Sequence, residues 1–273
     1  MKTFSVTNDT NLKDFTDSVY PQASFCFNAL LKGKDIKVNG VRTGKNIPVK
    51  NGDEIVYYTN AKQEQKPSHN PAYEDENVYI ADKYSGVSSE GLFFELSAKG
   101  EYYAVHRLDR NTQGLIIYAK NKWAEDELLK AFNERKVEKT YLALCKNCFK
   151  EKSATLTAYL KKDGDKALVK IFEKNEKGAE KIITEYTVEE EYGDIALVRV
   201  SLHTGKTHQI RAHMASLGCP VLGDEKYGDE ALNAIYSAKR QRLIAKYLRF
   251  NLDGRLSYLN GKIFESGFDF DKQ

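Results

Sequence analysis

The stretch HRLDRNTQGLIIYAK, residues 106–120, constrains this chain more than any other. Leu115, Ile116, Ile117 and Tyr118 form an unbroken apolar run, which predicts a buried strand. Directly before it stand His106, Arg107, Asp109 and a polar turn ending in Gly114. Polar residues crowded at the mouth of a buried strand are where sites are built, so the question is what Asp109 does. By itself an Asp there can simply accept backbone N–H bonds in a turn.

The chain has 273 residues, enough for one large domain or two. Apolar residues at 41% and charged residues at 30% fit an ordinary globular protein. No run approaches the roughly 18 apolar residues of a membrane span, and the N-terminus has no apolar signal core. The expectation is a cytoplasmic protein with no membrane partner. Cys145 and Cys148 form C-x-x-C, but no second cysteine pair exists to complete a zinc site. KTYLALC alternates like a strand, so these read as ordinary thiols near a strand end, and no metal is expected.

The net charge is +3, and residues 1–73 carry all of it, with ten Lys/Arg against seven Asp/Glu. The excess centres on LLKGKDIKVNGVRTGKNIPVK, where Lys32, Lys34, Lys37 and Arg42 would attract a phosphate backbone.

Residues 1–60 read as a small separate unit. NLKDFTDSVY and SFCFNALLKG are short helix candidates, with Ser24 as N-cap and Gly33 as stop of the second. IKVNGVR and IPVKNGDEIVYY are strands with Asn-Gly turns. Residues 61–76 are polar and read as a linker. Residues 77–273 carry the main core. NKWAEDELLKAFNERK predicts a helix capped by Asn121, with Trp123, Leu128 and Phe132 partly on one face. KIITEYTVEEEYGDIALVRVSLH predicts two long strands, and GRLSYLNGKIFES a late hairpin. Strands joined by hairpins, with few helices between, predict an α+β fold on a mostly antiparallel mixed sheet.

THQIRAHMASLG, from Thr207 to Gly218, predicts a short helix with His208 and Arg211 on one face. Ile210, Met214 and Leu217 would form the opposite, buried stripe. An Arg on a rigid helix suits a buried carboxylate, keeping it ionised and aimed. His203, His208 and His213 do not repeat a helix face, which argues against metal. A hydrolase would need a serine on a sharp G-x-S-x-G turn, and none is present.

Together HRLDRNTQGLIIYAK, KTYLAL, TGKTHQIRAHMASLGCPVLGDEKYG and YLNGKIFES resemble, in order, the RluA-type pseudouridine synthases. LLKGKDIKVNG and VKNGDEI resemble a compact alpha-L RNA-binding domain. The resemblance implies an enzyme that isomerises uridines in structured RNA, ribosomal or transfer, after base flipping, without cofactor. It implies that Asp109 is the catalytic carboxylate, that Arg211 pairs with it, and that Tyr141 lines the base pocket. Val221 or Leu222 would pack in that pocket. His106, Arg107, Lys206 and His208 would contact RNA. Gln113 stands where Ser is usual, Lys206 where Arg is usual, and Tyr84 where Pro is common. The other reading is a non-catalytic assembly factor of the same fold. A monomer is expected.

Overall fold

A computed structural model describes residues 1–163 and 168–270. The first unit consists of β1 (Lys2–Ser5), β2 (Thr10–Asn11), α1 (Leu12–Val19), α2 (Pro21–Phe25) and α3 (Phe27–Gly33). It continues through β3 (Ile36–Val38), β4 (Val41–Thr43), β5 (Pro48–Val49) and β6 (Glu54–Tyr57). An antiparallel sheet runs in the order β1-β6-β3-β4, while β2 pairs β5 apart from it. Asn11 caps α1 by accepting the Asp14 N–H at 2.9 Å, and Leu12 and Phe15 then face the unit's own apolar core. Ser24 is not a cap. Pro21, fixed at a helical φ, opens a helix three residues earlier, and the Ser24 hydroxyl donates to Asp17 at 2.5 Å. The helix after it ends at Gly33, and Lys34 takes the left-handed position.

Residues 61–76, expected as a linker, are structured over part of their length. Asn60 and Gln63 form a capping box that starts α4 (Ala61–Glu64). The following β7 (His69–Glu74) pairs with β8 (Val78–Lys83) and ends the large sheet. Pro71 is tolerated there because an edge strand leaves one row of amides unpaired.

The main unit continues with α5 (Ser89–Ser97), β9 (Tyr103–Ala104), β10 (Gln113–Ala119), α6 (Lys122–Asn133) and β11 (Val137–Lys146). Next come β12 (Ser153–Lys162), β13 (Val169–Phe172), β14 (Glu180–Tyr192), β15 (Ile195–Leu202) and α7 (Gln209–Ser216). The chain ends through α8 (Glu230–Ile235), β16 (Leu243–Phe250), a 3-10 helix (Gly254–Leu259) and β17 (Ile263–Glu265). The strand order is β13-β12-β14-β15-β11-β16-β10-β8-β7, with β9 and β17 attached at its side. Only β10 and β16 run parallel among the described pairs, which gives the α+β mixed sheet. The late hairpin forms differently: residues 254–259 are a 3-10 helix, and β17 pairs with β16 instead.

The run in β10 is buried because the sheet carries a core on each face. Ile116 and Tyr118 enter one apolar cluster, Leu115, Ile117 and Ala119 the other. Gly114, second in that strand, has φ +112°, and a Cβ there would lie 2.4 Å from the Ala245 carbonyl oxygen. Gly114 therefore lets β10 lie against β16. Asn121 caps α6 as expected, while Ala124, Leu128 and Ala131 form its buried stripe, with Trp123 and Phe132 half-buried beside it. No helix among the described residues is long and apolar enough to cross a membrane.

Candidate active site

The strand ends position the site. Where β10 begins, the Asp109 carbonyl accepts the Thr112 N–H at 3.1 Å, so residues 109–112 form a turn. The turn faces a cleft of about 790 Å³ lined by residues from 105–112, 132–141 and 201–211, with Glu185 and Leu243.

Arg211 lies on α7 and is 6% exposed. It donates from Nη1 to Asp109 Oδ2 at 2.9 Å, and from Nε and Nη2 to Asp224 at 2.7 and 2.9 Å. Burial opposes the charge on this guanidinium, but the bonds and charges of Asp224 and Asp109 raise its pKa. The two carboxylates differ in access. The Asp224 side chain is 0% exposed and that of Asp109 is 20% exposed, so Asp109 alone faces the cleft. Burial opposes ionisation of Asp224 as well, and Arg211 outweighs it, which lowers the Asp224 pKa.

Asp224 was not singled out in the sequence. Its signal is the short DEKY segment. There the Asp224 carboxylate also accepts the N–H groups of Lys226 and Tyr227 at 2.8 and 3.1 Å. Tyr227 likewise belongs to the site. Its ring lies 5.2 Å from the Arg211 guanidinium carbon, and its hydroxyl meets His208 Nδ1 at 3.0 Å. Lys83 is a third unmarked residue. It is fully buried, its Nζ donates to the carbonyls of Tyr84, Val87 and Arg110, and burial pushes its pKa down to about 7.

Tyr141 lines the cleft from β11, just after a register shift against β16 between Thr140 and Tyr141. Such a bulge re-aims the following side chain. Burial, helped by the Asp109 charge, raises the Tyr141 pKa and keeps its hydroxyl neutral.

His208 does not share a helix face with Arg211. It precedes α7 at φ +55° and points Nε2 toward Asp109 at 4.0 Å. Burial lowers its pKa. Gln209 holds the adjoining loop: its side chain bonds Thr204, the Lys206 N–H and β14. In the expected apolar stripe Ile210 and Met214 are buried, but Leu217 is 38% exposed because the helix ends at Ser216.

Among the residues expected to touch RNA, His106 lines the cleft but spends Nε2 on the Ile117 N–H at 3.0 Å and stacks on Phe132. Arg107 and Lys206 also line it, paired with Glu90 and Glu180. Val221 and Leu222 do not line the cleft. Their segment runs beside the end of β11, with Val221 bridged to Cys145, so Val221 enters the core and Leu222 packs near Leu232. Lys32, Lys34, Lys37 and Arg42 lie on the first unit, outside the cleft. There Lys37 and Arg42 approach the Tyr58 ring at 5.4 and 4.9 Å.

Two cations missed in the sequence stand on the cleft wall. Arg135, left-handed at φ +61° after α6, and Lys139 on β11 have no acidic partner within 4.0 Å among the described residues. Burial lowers the Lys139 pKa. His203, His208 and His213 bond Glu185, Tyr227 and Thr184 respectively and do not converge. Among the described residues no group of three or more His, Cys, Asp or Glu could hold a metal ion.

The model of the RNA pseudouridylate synthase family matches residues 45–216. An uncharacterized RNA pseudouridine synthase of Aquifex aeolicus is 33% identical, over 81% of this chain and 77% of its own. Ribosomal large subunit pseudouridine synthase C of Rickettsia bellii is 30% identical, over 74% of this chain and 77% of its own. Human RNA pseudouridylate synthase domain containing 1 superposes with a TM-score of 0.59 at 26% identity. That match covers 69% of this chain and 82% of the human one. With the family model spanning more than half of its length, this chain belongs to the RNA pseudouridylate synthases, isomerases that convert uridine in RNA to pseudouridine.

Proposed function

We propose that this enzyme isomerises uridines of large-subunit ribosomal RNA, with Asp109 as the carboxylate that acts at the ribose. The observation that carries the role of Asp109 is its bond to Arg211 at 2.9 Å, at the floor of an open cleft, with Arg211 itself fixed on buried Asp224. The ribosomal target follows from the relatives named for the large subunit.

In the reaction the C1′–N1 bond breaks and a C1′–C5 bond forms. A proton leaves C5 and one is gained at N1, so the atoms balance within the nucleotide. One ionised group beside the sugar serves either route, attack at C1′ or removal of a neighbouring sugar proton. Arg211 favours the carboxylate form of Asp109 and fixes its direction. Tyr141 offers a neutral flat ring against which a detached base can stay stacked. Arg107 stands at the mouth, where it contacts the backbone or fills the emptied stack. Arg135, Lys139 and Lys206 give the cleft walls positive charge for flanking phosphates.

Residues 1–60 act as an RNA-binding unit through Lys32, Lys34, Lys37 and Arg42, and the catalytic unit follows. The enzyme works as a monomer in the cytoplasm, a setting that suits four free cysteines. The test is pseudouridine mapping of total RNA from cells with and without the gene, repeated with Asp109→Asn. Ribosomal sites that vanish in both strains support the reading. Sites that persist with Asp109→Asn remove the carboxylate, sites lost only from transfer RNA replace the target, and no lost site leaves a non-catalytic assembly factor.

A further inference from the structure

The first unit is tied to the turn that carries Asp109. Asp17 on α1, 8% exposed, accepts a hydrogen bond from Arg110 Nη1, with Lys13 and Ser24 donating to the same carboxylate. Arg110 Nη2 donates to Ser24 Oγ at 3.3 Å, and Nε to the Gly86 carbonyl at 3.2 Å. Its own carbonyl accepts the Gly86 N–H at 2.9 Å and Lys83 Nζ at 3.2 Å.

Arg110 is the first inner residue of the 109–112 turn. Several fastenings set the direction of Asp109, among them Ser85 Oγ donating to the Asn111 carbonyl at 3.0 Å and Ser89 bonding both main-chain groups of Leu108. Arg211 holds the Asp109 carboxylate, Thr112 is held by Gln241 Nε2 at 2.8 Å, and Arg110 is held by the first unit. Docking alone does not need the Asp17 charge. Phe25 packs over Gly86 and Phe4 approaches Phe94 at 6.0 Å, so apolar contacts already join the units. A carboxylate withdrawn from water and aimed at the residue after Asp109 adds direction, and a reacting group displaced by about 1 Å can lose on the order of 10²-fold in rate.

We propose that Asp17, on the RNA-binding unit, is a positioning residue for the isomerisation, holding the turn of Asp109 through Arg110. The proposal rests on Asp109 being the reacting carboxylate. It makes the first unit part of the catalytic scaffold as well as a contact for RNA.

The test uses the full chain and total RNA labelled with [5-³H]uridine from cells lacking the gene. Tritium release is followed with enzyme in excess. The rate constant at saturating enzyme, the amplitude and the half-saturating concentration are read separately. Asp17→Asn and Arg110→Gln should each slow the rate constant about tenfold, with amplitude and half-saturation unchanged within twofold. The double variant should be no slower than the slower single one, because both remove the same tie. Asp17→Glu should recover most of the rate. Loss of amplitude alone, a shift of half-saturation alone, multiplying effects or an unchanged rate would each overturn the proposal. Should Asp17→Asn not fold, Arg110→Gln carries the rate comparison, with Asp17→Glu as the variant that keeps the tie and most of the rate. Asp109→Asn is run in parallel: full turnover there defeats the carboxylate reading itself, whereas an inactive Asp109→Asn beside unaffected Asp17 and Arg110 variants defeats only the tie.

Discussion

Arg211 and Asp224 are joined by two parallel hydrogen bonds of 2.7 and 2.9 Å, and this fork leaves Nη1 to reach Asp109 at 2.9 Å. A single guanidinium thus links a sealed carboxylate to an open one. The sealed member fixes the Arg, and the Arg fixes the member that opens on the cleft.

Lysine has no planar fork and cannot hold Asp224 through two parallel bonds while reaching Asp109 with a third nitrogen. Arg211→Lys should therefore lower turnover by about 10²-fold or more while RNA binding holds. Asp224→Asn breaks a buried pair at a cost of about 3 kcal/mol. It should lower the melting temperature by roughly 10 °C and slow turnover in the same preparation. A thermal melt beside a tritium-release assay checks both, and a normal rate for Asp224→Asn would show that the fork does not aim Asp109.

Gly114→Ala should destabilise the fold by roughly 3 kcal/mol or more, because the new Cβ would meet the Ala245 main chain while φ is positive. Urea unfolding measures it. The substitution also shifts the mouth of β10, so activity should fall with stability.

Two histidines set an acid limit on stability. Burial pushes the pKa of His106 down to about 3 and that of His213 to about 4. The folded chain then binds fewer protons than the unfolded chain between these values and about 6.5. Their contribution is complete above about pH 6.5 and lost as pH falls below it, by about 3 kcal/mol for the pair at pH 5.5. Urea midpoints between pH 7.5 and 5.5 should fall accordingly. His213→Gln should be less stable at pH 7.5 but show a shallower decline, and an unchanged slope would exclude this source.

Arg135 and Lys139 should each behave as one phosphate contact. Alanine at either position should weaken RNA binding and reduce the slope of log affinity against log salt by about 0.7–0.9. Alanine at Lys32, Lys34, Lys37 and Arg42 together should reduce it further if the first unit holds RNA. Binding measured across a salt series separates the two surfaces.

Some of this site lies in local pattern. The run after Gly114 reads as a buried strand because four adjacent apolar side chains leave no face for water. Asn121 reads as a cap because its side chain reaches an amide three residues on. Asp224, Tyr227 and Lys83 read locally as ordinary turn and strand residues, since what ties them to the site is Arg211, His208 and Arg110 on other elements. Asp224 is an ordinary turn Asp until Arg211 crosses to it. The family resemblance implies Val221 or Leu222 as a pocket residue, but the register beside β11 sends both into the core.

By itself the sequence determined which segments could be strands and helices, because burial period, caps and turn residues act over a few positions. It also supplied the order of the motifs. Only the tertiary structure decided that one guanidinium serves two carboxylates, that polar residues 69–74 close the sheet edge, and that α1 grips the turn of Asp109. Those are contacts between groups distant in sequence, and their energy exists only once the backbone has brought the groups together and excluded water.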